Sequence, residues 1–184
     1  MNNLMNAIGM ELFWEQPEGL RRNFVLCAGE NIYAKLDFPS ALSTLAEVTV
    51  GEDRWAFERK GFLATRVTIC RLNSDDVIAD YRPKWTGTQG SIRFFTGGIY
   101  RWSVANFWAT RYILSSEDGH ELITYHSDSR KKRFSDIFKQ QARVIIGPEV
   151  WQLKALPMLL SFGWYLVILY SEDSTVVATT ASIG

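Results

Sequence analysis

Between Lys154 and Glu172 the chain carries the run Ala155–Tyr170, ALPMLLSFGWYLVILY, which is apolar on every helical face except at Ser161 and Gly163. A helix that is hydrophobic all round has to be enclosed. Its sixteen residues would rise roughly 24 Å, less than the stretch of about 20 residues that a bilayer core demands. The predicted enclosure is therefore protein. Almost everything before the run reads as short strands, and the expected architecture is a mainly β fold, a closed antiparallel β-barrel around one central helix. Within that helix Gly163 costs about 1 kcal/mol relative to alanine, which predicts a close approach to the barrel wall there.

The strand reading rests on punctuation and alternation. Short mixed runs over Gly9–Gln16 and Arg22–Ala28 are separated by Gln16–Gly19, and Gly29–Asn31 introduces Ile32–Phe38. Pro39–Leu45 is the place before the C-terminal region that can hold a helical turn, and Ala46–Val50 resumes the extended pattern. In Arg54–Lys60 the residues Trp55, Phe57 and Arg59 share one face. After Gly61, Leu63, Thr65, Val67 and Ile69 alternate with Arg66 and Thr68. Arg82–Gly90 reads as a long loop; Ser91–Phe95 and Ile99–Val104 flank a glycine turn; Phe107–Ser115 and His120–His126 flank an Asp-Gly hairpin signal. Phe134–Gln141 and Ala142–Ile146 complete the strand material before Gly147 and Pro148. With no amphipathic helices between them, such strands predict an antiparallel barrel and not a parallel α/β sheet.

Size and charge narrow the function classes. The chain has 184 residues, 47% of them apolar and 14% aromatic, enough for a core in one domain spanning 1–184 with short flexible tails. Twenty basic residues balance twenty acidic ones. No global field draws the protein to nucleic acid, so none is expected as a partner, and any anionic ligand has to meet a local patch. Cys27 and Cys70 are too few and too far apart for a disulfide framework or a CxxC site. The first residues, MNNLMNAIGMELFW, lack the basic start and long apolar run of a secretory signal. The expected location is the cytoplasm, with peripheral contact at a membrane.

Four segments carry a family resemblance. The succession Trp55–Phe62 (WAFERKGF), Val77–Tyr81 (VIADY), Gly97–Trp102 (GGIYRW) and Leu156–Leu166 (LPMLLSFGWYL) resembles the tubby C-terminal-like superfamily, which includes tubby proteins, phospholipid scramblases and LURP-one-related proteins. It spans roughly Arg22 to Asp173, and its most specific piece is the terminal apolar helix. What the resemblance implies is a barrel of about twelve strands with that helix threaded through it. It does not imply an enzyme. Tubby proteins bind phosphoinositide headgroups through a basic surface, but no set of positions here matches it, and no cysteine cluster matches the acylated or calcium-binding features of scramblases.

The chemical motifs are few. His120 and His126 are six strand residues apart, roughly 20 Å, too far to share a metal. The pairs Asp75/Asp76, Glu117/Asp118 and Glu172/Asp173 sit in predicted turns or at a helix end, where solvation explains them better than acid–base work. There is no GxSxG, HExxH or P-loop, so no catalytic residue, metal or cofactor is assigned. One charge concentration stands out, Arg130, Lys131, Lys132 and Arg133, with Lys139, Arg143, Arg82 and Lys84 as candidate neighbours on a barrel rim. Such a loop fits an anionic phospholipid or phosphoinositide, each charge adding about 1 kcal/mol; a solvated loop balancing the acids is the plainer account. Of Trp85, Trp102, Phe107 and Trp108, strand aromatics ordinarily pack a core wall, whereas Trp85, in a polar loop beside Lys84, is the predicted exposed contact residue.

Three readings of function follow. The first is a non-catalytic binding or scaffold module engaging an anionic lipid headgroup or a protein partner. The second is a membrane-associated, scramblase-like protein using the apolar helix. The third is an enzyme with a site in the barrel mouth.

Overall fold

Twelve strands follow one another as a meander that closes on itself: β1 (Leu12–Glu15), β2 (Asn23–Ala28), β3 (Asn31–Asp37), β4 (Ala46–Val50), β5 (Asp53–Lys60), β6 (Arg66–Arg71), β7 (Val77–Pro83), β8 (Gln89–Phe94), β9 (Ile99–Val104), β10 (Arg111–Ser116), β11 (Glu121–Ser127) and β12 (Gln141–Ile146). Every strand pairs antiparallel with the next, and β1 closes the barrel on β12 with Leu12 opposite Val144 and Trp14 opposite Ala142. The helix α1 (Leu156–Ala181) runs through the middle. The computed structural model describes residues 1–19, 21–61, 66–74, 76–127 and 140–181, with the side chains of α1 described as far as residue 175. Closure leaves no sheet edge among the described strands for another chain to extend.

Alternation along the strands turns one apolar row inward. Ala46, Val48 and Val50 of β4, Trp55 and Phe57 of β5, and Val67 and Ile69 of β6 are buried against the helix side. From Met158 to Leu169 every residue of α1 is buried, which is why its sequence shows no polar face. Aromatic rings meet it from all around. Trp164 stacks on Trp14 with centroids 6.1 Å apart and meets Phe24 edge-on at 6.0 Å. Phe162 meets Phe57 at 5.0 Å and Tyr81 at 6.1 Å.

Gly163 stands where the helix is nearest to β11. A Cβ there would lie 2.8 Å from Tyr125 Cζ and overlap the hydroxyl. Tyr125 donates from that hydroxyl to the Leu160 carbonyl at 2.8 Å, so the ring that occupies the glycine's space is also tied to the helix backbone. A second tie comes from Tyr165, which donates to the Thr44 carbonyl at 2.7 Å.

Several local expectations are corrected. The helix does not stop at Tyr170: Glu172 and Asp173 lie inside it, where Arg22 and Arg59 neutralise them, and no glycine or proline intervenes before Ala181. Pro39–Leu45 is not helical, because the Ser40 and Ser43 hydroxyls take the N–H groups of Leu42 and Leu45 in local turns. Single 3₁₀ turns occur at Leu4–Ala7 and Pro148–Gln152 instead. The long loop Arg82–Gly90 shrinks to residues 84–88, since β7 continues to Pro83 and β8 starts at Gln89. Phe107–Thr110 is a turn and not strand: the Asn106 side chain accepts from the N–H groups of Thr110 and Arg111 and so delays β10. His120 precedes β11 in an exposed turn, 3.5 Å from Asp118. The expected strand Phe134–Gln141 lies outside the described residues except at its last two positions, of which Gln141 opens β12.

Candidate functional site

In an antiparallel meander the connections alternate between the two ends of the barrel. The β1–β2, β3–β4, β5–β6, β7–β8, β9–β10 and β11–β12 connections therefore share one rim. The helix leaves the barrel through the same rim, held by Arg22 and Arg59. Arg22 donates from Nε and Nη2 to the two Glu172 oxygens at 2.9 and 2.8 Å, and its guanidinium lies 3.8 Å from the centre of the Phe38 ring. Arg59 reaches Asp173 at 2.7 Å. Burial raises the Glu172 carboxyl above its ordinary range, with Arg22 acting against that rise.

This rim is also where large apolar side chains stand in solvent. Trp85 in the β7–β8 turn is 97% exposed; Phe107 and Trp108 in the β9–β10 turn are 92% and 79% exposed. The two turns are neighbours, since Val104 N–H donates to the Thr88 carbonyl at 2.8 Å. Phe107 and Trp108 pack edge to face at 5.3 Å. Leu42 of the β3–β4 connection is likewise almost wholly exposed. Trp85 thus stands as its polar loop suggested and Lys84 beside it is exposed, whereas Phe107 and Trp108 are not core residues. Trp102 is, buried on β9.

Below the turns, the outer wall of β5–β9 gathers cations. Lys60, Arg66, Arg82, Arg93 and Arg101 all project outward, opposed on that wall by Glu58 and Asp80. Ser91 sits between Arg82 and Arg101, directly opposite both in the ladder. Asp80 is 1% exposed although it is on the outside. Its Oδ2 takes Arg66 at 2.5 Å and Arg82 at 3.5 Å, while Oδ1 and the Arg66 Nε have no partner among the described residues. Arg93 and Arg101 make no ion pair among the described residues, so this face of a neutral chain is locally cationic. Nothing in the linear sequence marks it, because its members come from five strands and only the register assembles them.

The other expected positions divide. Arg130, Lys131, Lys132 and Arg133, with Lys139, lie outside the described residues, although the strands they connect end and begin at this rim. Arg143 is on β12, paired with Glu11 at 2.7 Å, and does not join the cationic wall. Of the carboxylate pairs, Asp118 is turned onto the Ser116 hydroxyl in the β10–β11 turn, and Glu172 and Asp173 are the helix clamps; Asp75 lies outside the described residues. Among the described residues no set of His, Cys, Asp and Glu could hold a metal, and no helix is long and apolar enough to cross a membrane.

A cleft of about 130 Å³ opens at the rim between α1 and the β5–β9 wall. Val67, Tyr81, Trp102, Leu166 and Leu169 line it, and the Arg59–Asp173 pair stands at its charged side. Gly90 makes room for Tyr81: a Cβ at that position would lie 2.5 Å from the tyrosine ring.

No protein-family model matches the chain, and no curated protein matches it. Among solved structures, the X-ray structure of a protein from Arabidopsis thaliana superposes with a TM-score of 0.56 at 13% identity, covering 90% of this chain and 92% of that one. At such identity the likeness speaks for the fold: this closed barrel with a helix inside is an arrangement that another natural chain adopts over nearly its whole length.

Proposed function

We propose that the protein is a non-catalytic binding module that docks through its helix-exit rim onto an anionic membrane surface, a role in keeping with its resemblance to the tubby-like superfamily. The observation that carries this reading is the juxtaposition of exposed Trp85, Phe107 and Trp108 with the arginines just beneath them. Indole rings favour the interfacial layer of a bilayer, and cations one layer below them are at the depth of lipid phosphates. Each such charge adds about 1 kcal/mol near an anionic surface. Arg130–Arg133 belong to this reading by sequence alone. Integral, scramblase-like insertion of α1 is not proposed, since its apolar surface is already covered by the barrel.

Co-sedimentation with phosphatidylserine vesicles tests the reading. The wild-type protein pellets at low salt and is released as screening shortens the field toward about 8 Å at physiological ionic strength. Trp85→Ala combined with Trp108→Ala weakens binding at every salt concentration, whereas Arg82→Glu with Arg101→Glu abolishes the salt-dependent part. Absence of pelleting at low salt would sink the proposal. The exposed tryptophans would then mark a protein interface, where such residues are frequent anchors.

A further inference from the structure

We propose that the cleft at the helix exit is a binding site for a hydrocarbon chain carrying an oxygen acceptor. Its size sets the scale: about 130 Å³ is close to the roughly 150 Å³ apolar cavity that takes up benzene. The wall provided by Val67, Leu166 and Leu169 is aliphatic, and the space opens at the rim.

Polar chemistry at the site gives the ligand its second feature. Tyr81 lines the cleft, and its hydroxyl makes no hydrogen bond to any described residue. An ester, carboxylate or alcohol oxygen entering with the chain gives that hydroxyl an acceptor, so the oxygen adds affinity beyond that of the chain. The Trp102 ring, 6.5 Å from Tyr81 between ring centres, belongs to the same wall and senses what fills the space. Arg59 and Asp173 neutralise each other at the charged side, so acid and alcohol are taken alike.

The same chemistry is offered by the acyl chain of a membrane lipid and by a free short-chain acid, and neither source requires the rim to dock on a membrane. The test therefore uses soluble molecules with the full chain. Titrating hexanol and hexanoate should shift the Trp102 indole N–H resonance saturably, whereas hexane at its solubility limit shifts it less. Leu169→Phe, which fills the cleft, should weaken both by about tenfold or more, and Val67→Leu serves if that variant does not fold. Tyr81→Phe should weaken both hexanol and hexanoate while leaving the folded spectrum intact. Competition with monomeric dihexanoyl phosphatidylserine assigns the source: displacement of hexanoate by the lipid points to membrane acyl chains, and resistance to it points to free acids. An unmoved Trp102 signal up to the solubility of hexanol, or equal shifts in the folded filled variants, would overturn the site, whatever the vesicle experiment gives.

Discussion

Gly163 and Tyr125 are one device. The glycine forgoes about 1 kcal/mol of helix propensity so that a tyrosine ring can lie against the helix backbone and cap the Leu160 carbonyl. Gly163→Ala therefore lowers the unfolding midpoint despite alanine's better propensity, by about 1–3 kcal/mol of overpacking, and Gly163→Leu lowers it further. Adding Tyr125→Phe to Gly163→Ala should recover part of the loss, as double-mutant thermal denaturation will show; additive losses would mean that the two residues do not meet. Asp80 supplies a second test at this scale. Asp80→Asn removes the charge between Arg66 and Arg82, so it should destabilise the fold while tightening binding to acidic vesicles at low salt. Burial, then Arg111 and Arg143, hold the His126 imidazole below its ordinary value. A depressed histidine stabilises the fold above its unfolded value of about 6.5 and loses that contribution as the pH falls through the folded value. His126→Gln should consequently flatten the fall in midpoint below that pH, by a small amount because the ring is largely solvated. The glycine's role was legible in the sequence because a glycine inside an apolar helix demands a reason. Trp85 was legible from its loop. Phe107 and Trp108 were not, since an apolar pair reads as strand unless the Asn106–Thr110 side-chain turn is known.

Among the elements, the helix divides at Tyr170. Before it, the barrel covers every residue from Met158; after it, two arginine clamps give way to exposed Asp173, Ser174 and Thr175. Arg22→Met removes the better buried clamp and leaves Glu172 half-buried without its cation, a loss of about 1–3 kcal/mol. Hydrogen exchange should then show the amides after Glu172 accelerating while those of residues 158–169 remain protected; equal acceleration along α1 would mean that the clamp supports the whole helix. The extent of α1 beyond Tyr170 escaped the sequence reading for a physical reason. Adjacent acids look like a helix end until the strands that bring Arg22 and Arg59 to them are in place. The cationic wall was hidden in the same way, its arginines being ordinary outward residues on separate strands. By contrast, the strands themselves were recognisable from alternation, with errors confined to ends where serine, asparagine or a longer hairpin decided the boundary.

For the whole molecule, the all-round apolar helix was the decisive clue, because only a closed wall can cover it, and the short punctuated strands could form such a wall. The order of the elements along the chain has a consequence for biosynthesis. The ribosome delivers all twelve strands before the pillar they surround, and β1 waits for β12, whose residues lie more than a hundred positions later. Until α1 emerges, the inward rows of Trp14, Phe24, Phe57 and Trp102 have nothing to close upon. Contacts of such long range make folding slow and leave apolar strands exposed meanwhile. A ribosome-bound chain stalled before Leu156 should accordingly be protease-sensitive and held by chaperones, and release of the last segment should convert it to a resistant form in one step. In that order of events the helix that fills the barrel is also the element whose emergence lets β1 and β12 close around something.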